Sequence, residues 1–479
     1  MQNVRKRAMQ FGDTPAAKYM QEFGRTTTLH GIPYILRKNY HYSETLLWLV
    51  AVVLATYYAA KLIYDSWNRY SSNPTVISLE KDFREWNLTF PAATVCFTDR
   101  LNDTRASEFI FETWNVDQNS SIYGKYHSFL NAITNLTYDN LKDFIAFERV
   151  SQFTSLTGEQ LSEIARQNMM QMEYHANVFD PAYNYLAFRE IITEMGICFT
   201  YSGIVANYHT LKKLPQPSFE IPYCNYLTSV CYARVEDLPG KIRYYIHSPY
   251  EIPAVSDKFF EVFDSMERDT SWRFSEMIAS PELRRLDPRQ RQCRFVDEPL
   301  ENEQVYSYNL CQMGCRKRLA YRLCGCAPYF YQKDGKIPVC GVKGLACLSK
   351  YKDEIVKLSS ASGSPDCQCL SQCEYVTFYI DENQERTWTY PVPPNIRFRW
   401  AIQHYSKTRQ KRDIIFGFED LLVSLGGTAA LFLGCSVLSF VEIGYFATLR
   451  LFWHLVRWHC GRKNGKNTRK RRVHYDRRY

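Results

Sequence analysis

Residues Leu421–Phe446 read LLVSLGGTAALFLGCSVLSFVEIGYF. The first 21 of them, to Val441, carry no charge, and about 20 apolar residues in a helix match the ~30 Å core of a bilayer. A buried helix of a soluble protein rarely runs so far uncharged, so the stretch reads as a membrane span. An ordinary anchor would be rich in Leu, Ile and Val throughout. This one holds Gly426, Gly427, Thr428, Ala429, Ala430, Gly434, Ser436 and Ser439. Small residues let helices pack closely in lipid, which by itself fits a passive dimerisation helix. Gly434-Cys435-Ser436 argues for more, because glycine in mid-span permits a break in the helix. Non-helical backbone at that depth is tolerated only inside protein or beside a water-filled cavity. Its carbonyls and the Ser436 hydroxyl would be hard oxygen ligands for a partly dehydrated cation. Carboxylates bracket the span, Glu419 and Asp420 before it and Glu442 after it. Repeated around a ring of copies they would concentrate cations at both mouths. On these residues alone, pore lining and passive anchoring both stay open.

A second apolar run lies far upstream: LLWLVAVVLATYYAAKLIY, Leu46–Tyr64. Its only charge is Lys61, close enough to the end to snorkel. Trp48, Tyr57, Tyr58, Tyr64 and Trp67 supply interfacial anchors. The residues ahead of it are polar and basic, with no early apolar segment of the signal-peptide kind. Mean hydropathy is mildly polar, which excludes a many-helix transporter.

The formal charge of +9 hides its distribution. Residues 1–44 and 442–479 hold 18 basic and 5 acidic groups, a net of +13, while 45–441 carries a net of −4. A nucleic-acid binder would spread its basic residues over a folded face, so no nucleic-acid partner is expected. Basic ends flanking both spans place those ends in the cytoplasm. All four glycosylation sequons, at Asn87, Asn102, Asn119 and Asn135, lie between the spans. So do 14 of the 16 cysteines, from Cys96 to Cys373. An even count in such a region points to disulfides and an oxidising compartment. The expected organisation is a cytoplasmic N-terminus (1–43), a first transmembrane helix (44–67) and an extracellular domain (68–418). A second transmembrane helix (419–446) and a basic cytoplasmic tail (447–479) follow.

Cys311 and Cys315 stand one helical turn apart, and Cys367 and Cys369 stand two apart in a segment read as a strand leading into YVTFYI. Each pair therefore shares a face. A ladder Cys311–Cys369 and Cys315–Cys367, closed by Cys293–Cys373, would join such a helix and strand, with Cys324, Cys326, Cys340 and Cys347 nested inside. Spacing does not fix this connectivity, and a zinc site is the competing reading.

With these residues in view, the chain resembles the degenerin/epithelial sodium channel family, which includes the acid-sensing channels. The resemblance covers residues 26–450 and is weakest over 100–190. It rests on TTLHGIPYI before the first span, TFPAATVC after it, the cysteine block 293–373 and LGGTAALFLGCSVLSFVE. RQCRF and the general style look most like the insect pickpocket subgroup. The resemblance implies an α+β membrane protein: a trimer of identical or paralogous subunits, each a hand-like ectodomain with a β-sheet palm, helical finger and a thumb over about 293–373. The implied function is sodium-preferring, amiloride-sensitive conduction in the plasma membrane, opened by an unidentified extracellular stimulus or ligand, with no enzymatic activity and no cofactor beyond the permeant Na+. By the same likeness Gly434-Cys435-Ser436 matches the selectivity filter, His30-Gly31 the gating motif, and Tyr70 the aromatic where the first span meets the ectodomain. The implied disulfides are Cys96–Cys198, Cys293–Cys373, Cys311–Cys369, Cys315–Cys367, Cys324–Cys347 and Cys326–Cys340.

Three departures stand out. Cys224 and Cys231 follow Cys198, whereas acid-sensing members place a comparable close pair before it; Cys224–Cys231 is still expected. The residue eleven before the filter glycine is Val423, where the family generally has a smaller one, so tight resting closure is in doubt. And DPRQRQC occupies the place where acid-sensing members carry a tryptophan at the thumb base, so their acid gating is not assumed. The carboxylates of DEPLENE (Asp297–Glu303) could raise one another's pKa, or form a solvated face. Cys460 could be palmitoylated, and the tail could attract anionic lipid.

Rival readings are an obligate accessory subunit of a heteromer, a two-pass cell-surface binding protein, and an ATP-gated channel. The last needs a lysine cluster for triphosphate and lacks the two glycine motifs. No HExxH, phosphate-binding loop, dinucleotide-binding glycine pattern or G-x-S-x-G is present to support an enzyme.

Overall fold

The computed structural model describes residues 15–36, 41–72, 74–172, 176–184, 187–205, 221–228, 231–300, 304–331, 335–358, 367–388 and 395–456. The basic tail from Arg457, Cys460 and Glu301–Glu303 lie outside the described residues. The chain forms two compact units: Ile77–Asp413, and the two chain ends up to Val76 and from Ile414.

The larger unit is built on two sheets. In the five-stranded sheet the order is Phe260–Val262, Ile242–His247, Ala92–Phe97, Gly196–Tyr201, Arg189–Thr193, antiparallel throughout. Ala92–Phe97 (AATVCF) and Gly196–Tyr201 (GICFTY) are buried at every position, so they read as near-continuous apolar runs rather than alternating ones. The seven-stranded sheet is mixed. Its long strand Met266–Ala279 pairs antiparallel with Tyr375–Thr387 and parallel with Ile396–Ile402 and Arg409–Ile414. Cys231–Leu238 alternates buried and half-exposed residues against Ile396–Ile402, the period-2 pattern of a strand with one covered face. Trp400, fully buried, stacks on Phe398 and donates from its indole to Pro91 O (3.1 Å).

Helices pack on this framework. Gly158–Asn168 starts at a Thr157–Gln160 capping box. Trp114, Tyr126, Phe129, Phe147 and Phe153 form an aromatic cluster among the preceding helices. Tyr308–Cys324 is capped by Ser307 and ends on the left-handed Gly325.

Seven disulfides cross-link the unit: Cys96–Cys198, Cys224–Cys231, Cys293–Cys373, Cys311–Cys369, Cys315–Cys367, Cys324–Cys347 and Cys326–Cys340. No cluster of metal-ligating side chains occurs among the described residues. The strand expected to carry Cys367 and Cys369 is corrected here. Residues 367–370 are irregular, and Gln368 has φ 49°, a left-handed backbone that no strand accommodates. The strand begins later, at Tyr375.

At the foot of the cysteine block, Asp287–Arg291 is a capped turn that buries the Arg291 side chain. Its guanidinium donates to Cys293 O (3.1 Å) and Leu286 O (3.0 Å) and pairs with Glu298. Asp297, in the same acidic run, accepts two bonds from Arg284, which holds its carboxyl below the usual range. The described part of that run is thus ion-paired, contrary to the mutual-repulsion reading.

The smaller unit holds the apolar segments. Tyr42–Ser72, 31 residues, is long and apolar enough to cross a membrane, a few residues longer at each end than 44–67. Phe418–Leu433 and Val437–Val456 pass the same test only as a pair, bent by 72° at the intervening residues.

Candidate functional site at the broken helix

The bend falls on Gly434-Cys435-Ser436. Gly434 closes the first half with φ 62°, a left-handed cap that glycine adopts without strain. Its N–H donates to Ala430 O (3.0 Å), and that of Cys435 to Ala429 O (3.2 Å). Ser436 opens the second half as its N-cap, the hydroxyl accepting from Ser439 N (3.3 Å). The Ser436 oxygen therefore has a structural duty as well as any ligand role. Among the described residues no donor reaches the carbonyl oxygens of Gly434 and Cys435.

The chain's N-terminal segment seats itself against this break. His30 N–H donates to Leu433 O (3.1 Å). The His30 imidazole occupies the space where a Cβ on residue 434 would project, so only glycine fits there. Gly31 repeats the arrangement one step on: φ is 87°, and a Cβ would run into the Val52 side chain on the first long helix. Tyr34 stacks on Trp48 of that helix (4.5 Å between centroids, 12°). Thr28 reaches beyond the break, its N–H (3.2 Å) and hydroxyl (2.8 Å) both donating to the Glu442 carboxylate. The structure thus brings His30, Gly31, Gly434 and Glu442 together. Sequence reasoning missed Thr28. The signal available was a hydroxyl residue two before the His-Gly pair and a lone carboxylate eight after Gly434.

The remaining predicted residues are more dispersed. Asp420 accepts from Gly417 N (2.9 Å), so one upper carboxylate caps its own helix, while Glu419 is exposed. Val423 is 75% exposed, and the space over Gly426 and Gly427 is open within the subunit. Tyr70 packs on Trp67, with centroids 6.1 Å apart. Ser66 and Ser424 hydroxyls meet at 2.9 Å and join the two long helices. Of the sequon residues, Asn119 is exposed, Asn87 accepts from Asn225 and Asn102 is a helix N-cap. Asn135 is held on three sides by Arg100 N, Asp99 and Asn131.

A family model described as "Amiloride-sensitive sodium channel" matches residues 23–446. The sodium channel protein Nach of Drosophila melanogaster is 23% identical, aligned over 91% of this chain and 89% of its own. The bile acid-sensitive ion channel of Rattus norvegicus is 23% identical over 92% and 89%. Pickpocket protein 28 of Drosophila melanogaster is 23% identical over 94% and 80%. The match takes in both apolar segments, the cysteine block and the His30–Gly434 junction, and the chain belongs to the amiloride-sensitive sodium channel family of ion channels, with pickpocket proteins among its relatives.

Proposed function

We propose that the chain is a subunit of a trimeric, sodium-preferring, amiloride-sensitive cation channel of the plasma membrane, opened by an extracellular stimulus. In this reading it crosses the bilayer twice, at 44–67 and 419–446, with both ends in the cytoplasm. Identical or paralogous subunits surround a pore lined by the broken helix. One observation carries the proposal: two unpaired carbonyls, Gly434 and Cys435, at a break in an apolar helix pair whose residues 421–441 carry no charge. Irregular backbone at membrane depth belongs beside a water-filled path, and rings of such oxygens replace the hydration shell of a cation. Membership in a sodium channel family supports the ion.

His30 and Gly31 act as the brace of the filter Gly434-Cys435-Ser436. Val423 lies on the gate, Tyr70 transmits motion at the end of the first helix, and Glu419, Asp420 and Glu442 draw cations to the mouths. The exposed apolar face of the broken helix, Leu431 at 80% and Val437 at 81% among it, is covered by neighbouring subunits and lipid.

The test is expression of the chain alone in a cell of low background, with sodium replaced by a large organic cation. A current carried by sodium and blocked by amiloride is expected. No current under any stimulus, with surface delivery confirmed, overturns the self-sufficient channel and leaves an obligate heteromer. A Ser436→Ala channel of unchanged selectivity overturns the filter assignment. Val423→Ala lowers any standing current.

A further inference from the structure

The β-rich unit contains a cavity of about 650 Å3 to which the channel reading assigns nothing. That volume lies within the range of pockets that bury a small organic ligand. Arg100 lines it, just past the end of Ala92–Phe97. The residue is 5% exposed, and its place is built. Its N–H donates to Asn135 Oδ1 (2.8 Å), and one guanidinium nitrogen donates to Met195 O. Gly196, with φ 93°, leaves the room in which Nη1 sits, since a Cβ would approach it to 2.9 Å.

The Arg100 guanidinium is only partly satisfied, with Asp99 the one carboxylate that supports its charge. Its Nε is buried without a hydrogen-bond partner, and no carboxylate lies within ion-pair distance of it among the described residues. Burial pushes its pKa down to about 10. The other charged or titratable side chains lining the cavity are paired or exposed, His127 with Asp103 among them. Arg243 is held by Glu261 (2.8 Å), and Glu194 by Arg316 and Tyr331 (2.9 Å each). Asp139 pairs with Lys352 (2.7 Å), and Asp143 is exposed to water at the rim. A buried guanidinium without an ion pair is costly, and a carboxylate is its best geometric complement. Phe147, Tyr245 and Phe259 supply apolar wall beside it.

We propose that this cavity binds an organic carboxylate whose anionic group pairs with Arg100 and whose apolar body lies against Phe147, Tyr245 and Phe259. The inference does not depend on conduction, so it is tested by binding. Purified full-length protein in nanodiscs is melted with 3-phenylpropionate, with its neutral amide, and with chloride against methanesulfonate. The carboxylate is expected to raise the melting temperature and the amide is not. Arg100→Met removes both the charge and the bond to Met195 O, so its own melt without ligand is the baseline for its ligand shift. It should weaken the carboxylate's effect at least about tenfold, the loss of one charge-assisted pair. Ala146→Trp, at an exposed position on the cavity wall, should block the carboxylate while leaving the fold intact, and decides the matter if Arg100→Met fails to fold. Equal shifts from acid and amide overturn the proposal, as does a carboxylate shift that survives either substitution. Chloride producing the whole shift overturns it too, in favour of an inorganic anion.

Discussion

The cysteine block and the helix break hold their shapes by opposite means. Between Cys293 and Cys373 five covalent bridges close nested loops, which takes alternatives away from the unfolded chain. At Gly434-Cys435-Ser436 a few hydrogen bonds and one steric fit do the work. Each such neutral bond is worth about 0.5–1.5 kcal/mol net, and those to the Glu442 carboxylate about 1.5–3, amounts that a ligand or a shift in the surroundings can reverse. One region is built to stay as it is; the other can change state without unfolding its neighbours.

The comparison breaks first if the bridges are expendable. Replacing Cys293 and Cys373 together by Ala is expected to cost about 3–5 kcal/mol and to lower the ectodomain melting temperature and surface delivery sharply. An unchanged melt would mean that packing, not cross-linking, holds the block.

A titratable group packed against the stiff region sharpens the contrast. Glu251 accepts from Ser307 Oγ, Tyr308 N (3.0 Å) and Asn309 N (3.3 Å), capping the helix that carries Cys311 and Cys315. Burial, reinforced by nearby Asp257, pushes its pKa up to about 7. A carboxyl raised in the folded state stabilises the fold fully below its unfolded pKa, near 4.5. That contribution disappears as pH rises through about 7. Ectodomain stability should therefore fall by about 2–3 kcal/mol between pH 5 and 8, and Glu251→Gln should flatten the profile. The reverse slope in the native protein would contradict the assignment.

Gly434→Ala probes the other region. The left-handed backbone costs about 1–2 kcal/mol with a Cβ, and the His30 ring must move. The ectodomain melt should not change while current is lost, with partial recovery in the Gly434→Ala/His30→Ala pair. Smallest of all, Ser424→Ala removes the hydroxyl contact to Ser66. Such interhelical bonds average about 0.6 kcal/mol in membranes, so a modest change in the opening equilibrium is expected, read from the current at fixed stimulus.

Much of this was legible in the sequence. The apolar runs, the charge at the two ends and the cysteine count each obey a one-dimensional rule, so their order along the chain follows from composition. The special status of Gly434 was legible as a glycine in the middle of a long uncharged apolar run. Its partner was not, because His30 stands 404 positions earlier and no periodicity links them. Gln368 misled for a local reason: two cysteines can be turned to one side by a single left-handed residue as well as by a strand. Arg291 and Arg100 look in sequence like ordinary surface arginines, and only the folded chain shows that one is ion-paired with Glu298 and the other forms no ion pair among the described residues.

The seating of Thr28 on Glu442 also sets a schedule for biosynthesis. The two residues are 414 positions apart, and at ~5–20 residues per second roughly 20–80 s of translation separate them. During that interval the segment around His30 has only water for its hydrogen-bond donors, while the cysteine block can oxidise and close. The contact between the N-terminal segment and the broken helix is therefore among the last that a newly made chain can complete. A chain truncated before Leu433 would present a finished ectodomain on an unbraced N-terminal segment, a difference that quality control could read.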